Sequence, residues 1–346
     1  MKLSFRWYGP HDPVTLEQIA QIPGMHSIVS AVYDTPAGGV WPRESIRAIS
    51  DAAAAHRLVF DVVESVPVHE EIKLGSSQAP DLIDAYCENL RRLGEAGVRC
   101  VCYNFMPVFD WLRSDLARQA PDGSNSLAYD EAAFLAMNPA AGGLSLPGWD
   151  ESYTPDGLRV LLARYEAVGE EQLWRNLHTF LEAVIPAAAG ADIKMAIHPD
   201  DPPWGIFGLP RIIKNQESLD KFLKLVDCPE NGLTFCTGSL GADPDNDLPE
   251  MIRRCEGRIH FVHLRNIQRT GDRCFHEVGH LSSCGSLDMA AIVRALRETG
   301  FDGYIRPDHG RMIWGEHGKP GYGLFDRALG AAYINGLWEA SACAGT

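Results

Sequence analysis

Two periodicities alternate along the chain. Short apolar runs of strand character occur at Leu3–Trp7, Ser27–Val32, Leu58–Glu64 and Val98–Asn104. Between them lie helical patterns at Arg43–His56, behind Pro42, and at Asp81–Ala96, with Pro80 before it and Gly97 after it, the usual start and stop signals. From 106 to 153 the periodicity is lost among Pro107, Pro121-Asp-Gly123, Gly142-Gly143 and Pro147-Gly148, which predicts a long lid-like insertion after the fourth strand. A helix over Glu170–Ala189 leads into four further apolar runs. Predicted helices at Ser218–Val226, Leu248–Cys255 and Asp288–Thr299 separate them, and a last one near Phe325–Ala342 follows. Eight strands, most followed by helices, predict an α/β fold with a parallel sheet, and the count favours a closed (β/α)8 TIM barrel. An open doubly wound sheet is the alternative, but no G-x-G-x-x-G follows an early strand and no phosphate-binding G-x-x-x-x-G-K-[ST] occurs. With no internal repeat or linker, 1–346 reads as one barrel domain with 106–153 inserted in it.

The four later runs share one feature. Lys194-Met-Ala-Ile-His198, Gly232-Leu-Thr-Phe-Cys236, Ile259-His-Phe-Val-His263 and Tyr304-Ile-Arg-Pro-Asp308 each end in a residue able to bind a metal. The spacings of 38, 27 and 45 positions are too long for a local finger or loop. A closed parallel barrel gathers the carboxyl ends of its strands on one rim, where barrel enzymes keep their chemistry. Taken singly, each residue is as readily a core histidine, a buried cysteine or a surface aspartate. In equivalent positions on consecutive strands, they form an N, S and O donor set suited to a first-row divalent ion rather than magnesium.

The segment His276-Glu-Val-Gly-His280 matches the H-E-x-x-H helix of zinc proteases, but Gly279 and the flanking Thr270-Gly-Asp and Ser282-Ser-Cys-Gly read as a loop. Glu277 and His280 are expected there as substrate contacts on a rim loop. Asn104, ending the fourth strand, is another expected contact. His309 follows Asp308 directly, so it stands beside the metal and is a candidate for proton transfer near neutral pH. Tyr322, within the glycine-rich loop Gly318-Lys-Pro-Gly-Tyr322-Gly323, is a second. Arg265, Arg306 and Arg311 lie near the ends of strands seven and eight, and Arg265 and Arg311 are expected to clamp a carboxylate.

Composition narrows the partners. A formal charge of −15 disfavours general nucleic-acid binding and repels small anions at long range, so an anionic substrate needs a metal or local arginines. Nine cysteines, an odd number with no C-x-x-C, do not form a disulfide framework. The opening MKLSFRWYGPHDP has no apolar stretch of signal-peptide type, and no run approaches the ~20 apolar residues that cross a bilayer. The expected setting is the cytoplasm.

Phe5-Arg-Trp-Tyr-Gly9, the segment from Glu64 to Gly75, Ile197-His-Pro-Asp-Asp-Pro-Pro203, Phe235-Cys-Thr-Gly-Ser239, Val262-His-Leu-Arg-Asn266 and Arg306-Pro-Asp-His-Gly310 together resemble the mannonate dehydratase family, nearly end to end. The resemblance implies a xylose-isomerase-like barrel and Mn²⁺ or Fe²⁺ held by His198, Cys236, His263 and Asp308. It implies proton transfer by His309 and Tyr322. The reaction it implies is conversion of D-mannonate to 2-dehydro-3-deoxy-D-gluconate and water in hexuronate breakdown, by a homo-oligomer. Two other readings are a metal-dependent sugar isomerase or epimerase, whose sites rely on carboxylates where this chain has Cys236, and a non-catalytic sugar-acid sensor. A sensor would have lost a ligand or the acid–base pair, and this chain keeps both.

Overall fold

The computed structural model describes residues 1–137 and 154–343. Its twelve strands are β1 (Lys2–Arg6), β2 (Met25–Ser30), β3 (Val59–Glu64), β4 (Cys100–Tyr103), β5 (Asp115–Gln119), β6 (Asn125–Asp130), β7 (Lys194–Ile197), β8 (Asn231–Cys236), β9 (Ile259–Leu264), β10 (Asn266–Gly271), β11 (Cys274–Val278) and β12 (Tyr304–Pro307). Eight of them close a barrel in the order β1-β12-β9-β8-β7-β4-β3-β2, every pairing parallel. The four ligand-bearing runs are β7, β8, β9 and β12, adjacent in that order. The predicted helices form within one or two residues of their expected limits, for example Ala79–Glu95 and Glu170–Gly190. They pack their apolar faces outside the barrel, as βαβ connections require.

Inside the barrel, Val29, Val62, Cys100, Cys102, Ala196, Phe261 and Tyr304 make a layer of their own. Phe261 stands edge-on beneath His263, ring centroids 4.6 Å apart, so this layer floors the rim site. Among the described residues no helix is long and apolar enough to cross a membrane.

The insertion differs from the sequence expectation. Its first half is a hairpin, β5–β6, with Pro121-Asp-Gly123 as the turn and Gly123 at φ 84°. β10 and β11 form a second hairpin, and the order β10-β11-β6-β5 joins the two into one antiparallel sheet. The H-E-x-x-H segment therefore lies largely on a strand, not in a loop. Alternation on β11 buries Glu277 and leaves His276 on the other face. Residues 138–153, the remainder of the expected lid, lie outside the described residues.

A buried carboxylate ties this insertion to the barrel. Glu70 accepts from Lys73 Nζ (2.6 Å), from the backbone N–H of Val108 (3.1 Å) and from Tyr165 Oη (2.6 Å). It thus joins the start of the insertion and the Pro155–Tyr165 helix to the loop after β3. Removing one partner of a buried pair leaves the other charge uncompensated. Glu70→Ala is expected to lower stability by about 3–5 kcal/mol in urea unfolding; a change below about 1 kcal/mol would contradict that role.

Candidate active site

Strand register assembles the rim. Cys236 is level with His263, and His263 with Arg306, two residues before Asp308. His198 extends the β4–β7 ladder by one, its N–H donating to Tyr103 O at 2.7 Å. One side-chain atom from each of His198, Cys236 and His263 falls within 4.8 Å of the others. His198 Nε2 and His263 Nδ1 are 3.2 Å apart. Asp308 Oδ2 stands 3.8 Å from Cys236 Sγ and 3.9 Å from His263 Nδ1. The four expected ligands are thus brought together, the carboxylate at the edge of a tighter N, S, N group.

The surroundings prepare these atoms for a cation. His198 Nδ1 lies 2.7 Å from Pro199 O, which can only accept, so Nδ1 carries a hydrogen and Nε2 is the nitrogen that faces the centre. His263 Nε2 faces Glu64 at 3.4 Å, and its Nδ1 faces the centre. Burial alone would raise the Cys236 thiol, but Arg265 and then His198 outweigh it and hold the thiol well below its usual range, in the thiolate form that ligates. Burial likewise opposes ionisation of Asp308, yet Arg306, with His309, His263 and Arg265, keeps its carboxyl well below the usual range. His198 is pushed up to about 9: burial opposes its charge and the Cys236 thiolate more than offsets it. Two imidazoles, a thiolate and a carboxylate are a donor set that fits a divalent transition ion, which would displace a proton from His198 on binding. A neighbouring trio of Glu64, Cys102 and His263 does not. Burial holds the Cys102 thiol protonated, so that trio lacks the thiolate.

Beside this cluster lie the two candidate proton-transfer residues. His309 Nε2 and Tyr322 Oη are 2.8 Å apart, and both side chains line the cavity over the cluster. The Tyr322 loop is tied to the segment after β12 by Gly310 N–H donating to Gly321 O at 2.9 Å. Gly321 sits at φ 80°, where a Cβ would come within 2.7 Å of Leu127, so glycine is required there. Burial raises the Tyr322 phenol to about 12, with Arg306 partly opposing it, so it stays protonated at neutral pH. Trp111 packs on His309 with ring centroids 4.9 Å apart.

The expected substrate contacts fare differently. Asn104 lines the cavity. Arg265 does not reach out as a clamp: it is buried, pairing with Asp201 and Glu277 and with Asp308 at 3.0 Å. Gly238 makes the room, since a Cβ there would stand 2.2 Å from Arg265 Nε. Arg311 is also corrected, because Asp326 takes its backbone N–H, Nε and Nη2. Glu277 lies behind His309 rather than on the rim, Oε1 at 2.8 Å from Nδ1. His280 is buried away from the cavity, where a Cβ on Gly330 would meet it at 2.5 Å.

The cavity is completed by residues that sequence reasoning did not select: Arg6, Tyr8, Glu64, Asp201, Trp111, Lys319 and, from the arginines considered, Arg306. Glu64 ends an apolar strand with a ligand-type residue, the same signal used for the four later strands. Trp111 lies in the insertion, where no periodicity marked it.

The D-mannonate dehydratase (UxuA) family model matches residues 1–344. Mannonate dehydratase 2 of Halalkalibacterium halodurans is 56% identical over 342 residues, covering 98% of this chain and 99% of that protein. Mannonate dehydratase of Oceanobacillus iheyensis is also 56% identical, covering 98% and 97%. The crystal structure of mannonate dehydratase from Streptococcus suis serotype 2 superposes with a TM-score of 0.93 at 48% identity, covering 100% of this chain and 96% of that one. A D-psicose 3-epimerase, 10% identical with a TM-score of 0.59, shares the barrel alone. A family model spanning nearly every residue, and relatives more than half identical over almost their whole length, place the chain in the mannonate dehydratase family.

Proposed function

We propose that the chain is a hydro-lyase that removes water from D-mannonate, giving 2-dehydro-3-deoxy-D-gluconate, with His309 and Tyr322 sharing the proton transfers. The observation that carries this reading is the 2.8 Å contact between those two side chains, beside the ligand cluster and inside one cavity. The reaction breaks C2–H and C3–O and leaves an enol that becomes the 2-keto acid. One group must take the C2 proton, and another must protonate the departing hydroxyl. A hydrogen-bonded imidazole and phenol can do both without bulk water, since a proton accepted by one is in reach of the other.

His198, Cys236, His263 and Asp308 would hold Mn²⁺ or Fe²⁺. When bound, such an ion supplies Lewis-acid stabilisation of the negative charge that develops as the C2 proton leaves. Arg306, Arg6 and Lys319, lining the cavity, offset locally the repulsion that a chain of net charge −15 exerts on a sugar acid. The setting proposed is the cytoplasm, as a homo-oligomer; Trp314, 72% exposed and packed on Phe325, is an apolar surface feature consistent with assembly.

Product analysis tests the reaction. Incubation with D-mannonate and Mn²⁺ is expected to yield a product one water lighter that reacts as a 2-keto-3-deoxy acid. A mass-neutral product would mean an isomerase, and binding without turnover a sensor. Metal is also expected to raise the thermal midpoint of metal-stripped protein, by about 2.7 kcal/mol of stability at one hundred times its dissociation constant. No shift with Mn²⁺ or Fe²⁺ would count against the site.

A further inference from the structure

Behind His309 lies a closed ring of four buried charges. Arg113, from the insertion, spans both oxygens of Asp201 (2.9 and 3.1 Å) and reaches Glu277 at 2.9 Å. Arg265, after β9, bonds the same two carboxylates from the other side. All four side chains are essentially inaccessible to water. Two guanidinium groups donating to one carboxylate hold Glu277 ionised and its Oε1 fixed in place.

That oxygen is 2.8 Å from His309 Nδ1. A carboxylate can only accept, so Nδ1 must carry a hydrogen. Arg265 Nη1 is also 3.2 Å from Nδ1, but the contact to the carboxylate is the shorter, and an oxygen that can only accept takes the Nδ1 hydrogen. In neutral His309 the lone pair is then on Nε2, the nitrogen facing Tyr322 Oη. Ring orientation and tautomer are both set from behind, as a carboxylate sets them for a ligating or catalytic imidazole elsewhere.

We propose that Glu277 is a positioning residue for His309, and that the sheet formed by the insertion and the β10–β11 hairpin serves to deliver it. Arg113 and Arg265 lock Glu277; Glu277 locks the imidazole; the imidazole presents Nε2 to Tyr322 and the cavity. This explains why a hairpin from the insertion pairs with one following β9: neither alone brings Arg113 against Glu277. The inference rests on His309 being a proton-transfer group, and the experiment separates the two.

Glu277→Gln keeps the length of the side chain and removes its charge. In the metal-loaded enzyme kcat is expected to fall on the order of 10²-fold, with KM within about threefold and metal content unchanged. With substrate deuterated at C2, the isotope effect on kcat is expected to rise, because misplacing the imidazole slows the proton step selectively. A purely structural role would lower the active fraction and leave that isotope effect alone. Wild-type kcat in a folded variant, or a lower kcat with an unmoved isotope effect, overturns the proposal. Should Glu277→Gln not fold, Glu277→Asp keeps the charge between the guanidinium groups but is one methylene short of Nδ1; the same losses are expected, and wild-type turnover overturns the proposal equally. His309→Asn is the control. Activity in that variant sinks His309 as a proton-transfer group, whereas an inactive His309→Asn beside a fully active Glu277→Gln sinks only the role of Glu277.

Discussion

Tyr322→Phe is expected to lower kcat by 10² to 10⁴-fold, the usual worth of a positioned acid or base, while metal content and thermal midpoint stay near those of the parent. The substitution removes one oxygen and keeps the ring. The packing that holds the ring is apolar and cationic: Tyr8 meets it edge-on at 5.0 Å, and the Arg327 guanidinium lies 5.4 Å from its centroid. None of this depends on the hydroxyl. What is lost is the hydrogen bond to His309 Nε2 at 2.8 Å, hence the path between the groups that handle the C2 proton and the C3 hydroxyl. Because the phenol is held protonated, its part near neutral pH begins with a proton to give or share. Steady-state kinetics with D-mannonate and metal analysis of the same preparation check the expectation. Near-parental kcat would remove Tyr322 from the mechanism.

The barrel, and the gathering of the four candidate ligands on one rim, were legible because both are governed by strand ends. Each run is buried in the wall and so reads as continuously apolar, and parallel closure puts every carboxyl end on one rim. The insertion was not legible, for a non-local reason. β5 alternates between exposed and half-buried positions with no apolar face, and the edge of β6 is satisfied by β11, more than a hundred residues later. Nothing nearby in sequence signals that partnership. The same blindness misplaced Glu277 and His280: a glycine and flanking turn residues suggested a loop, whereas a strand with alternating faces sends Glu277 inward. Arg265 and Arg311 were read as available cations, because their carboxylate partners are set by topology. Asp201 follows β7, and Asp326 lies on the final helix Phe325–Cys343. A sequence shows which residues can carry charge, but not which charges are already spoken for.

Cys236→Ala and His198→Ala are each expected to strip the protein of metal. Loss of a residue that merely orients a ligand typically costs 10–100-fold in affinity; loss of a ligand should cost more than that, leaving metal below stoichiometry after dialysis. The two variants probe different chemistry. His198 would contribute an imidazole nitrogen oriented by Pro199 O, a borderline donor whose loss weakens Fe²⁺ and Mn²⁺ without removing the soft ligand. Cys236 contributes the soft donor, kept as thiolate chiefly by Arg265. Cys236→Ser, which replaces sulfur by a harder oxygen, should therefore weaken Zn²⁺ and Fe²⁺ more than Mn²⁺. Neither truncation is free of structural cost. Removing the Cys236 side chain leaves Arg265 near Asp201, Glu277 and Asp308 with one anion fewer, and removing His198 takes a cation from beside the thiolate. Metal analysis must accordingly be made on folded protein, with far-ultraviolet dichroism as the check. Stoichiometric metal in both folded alanine variants would place the ion elsewhere, and His309 and Tyr322 would lose the neighbour that makes a weakly acidic C2 proton removable.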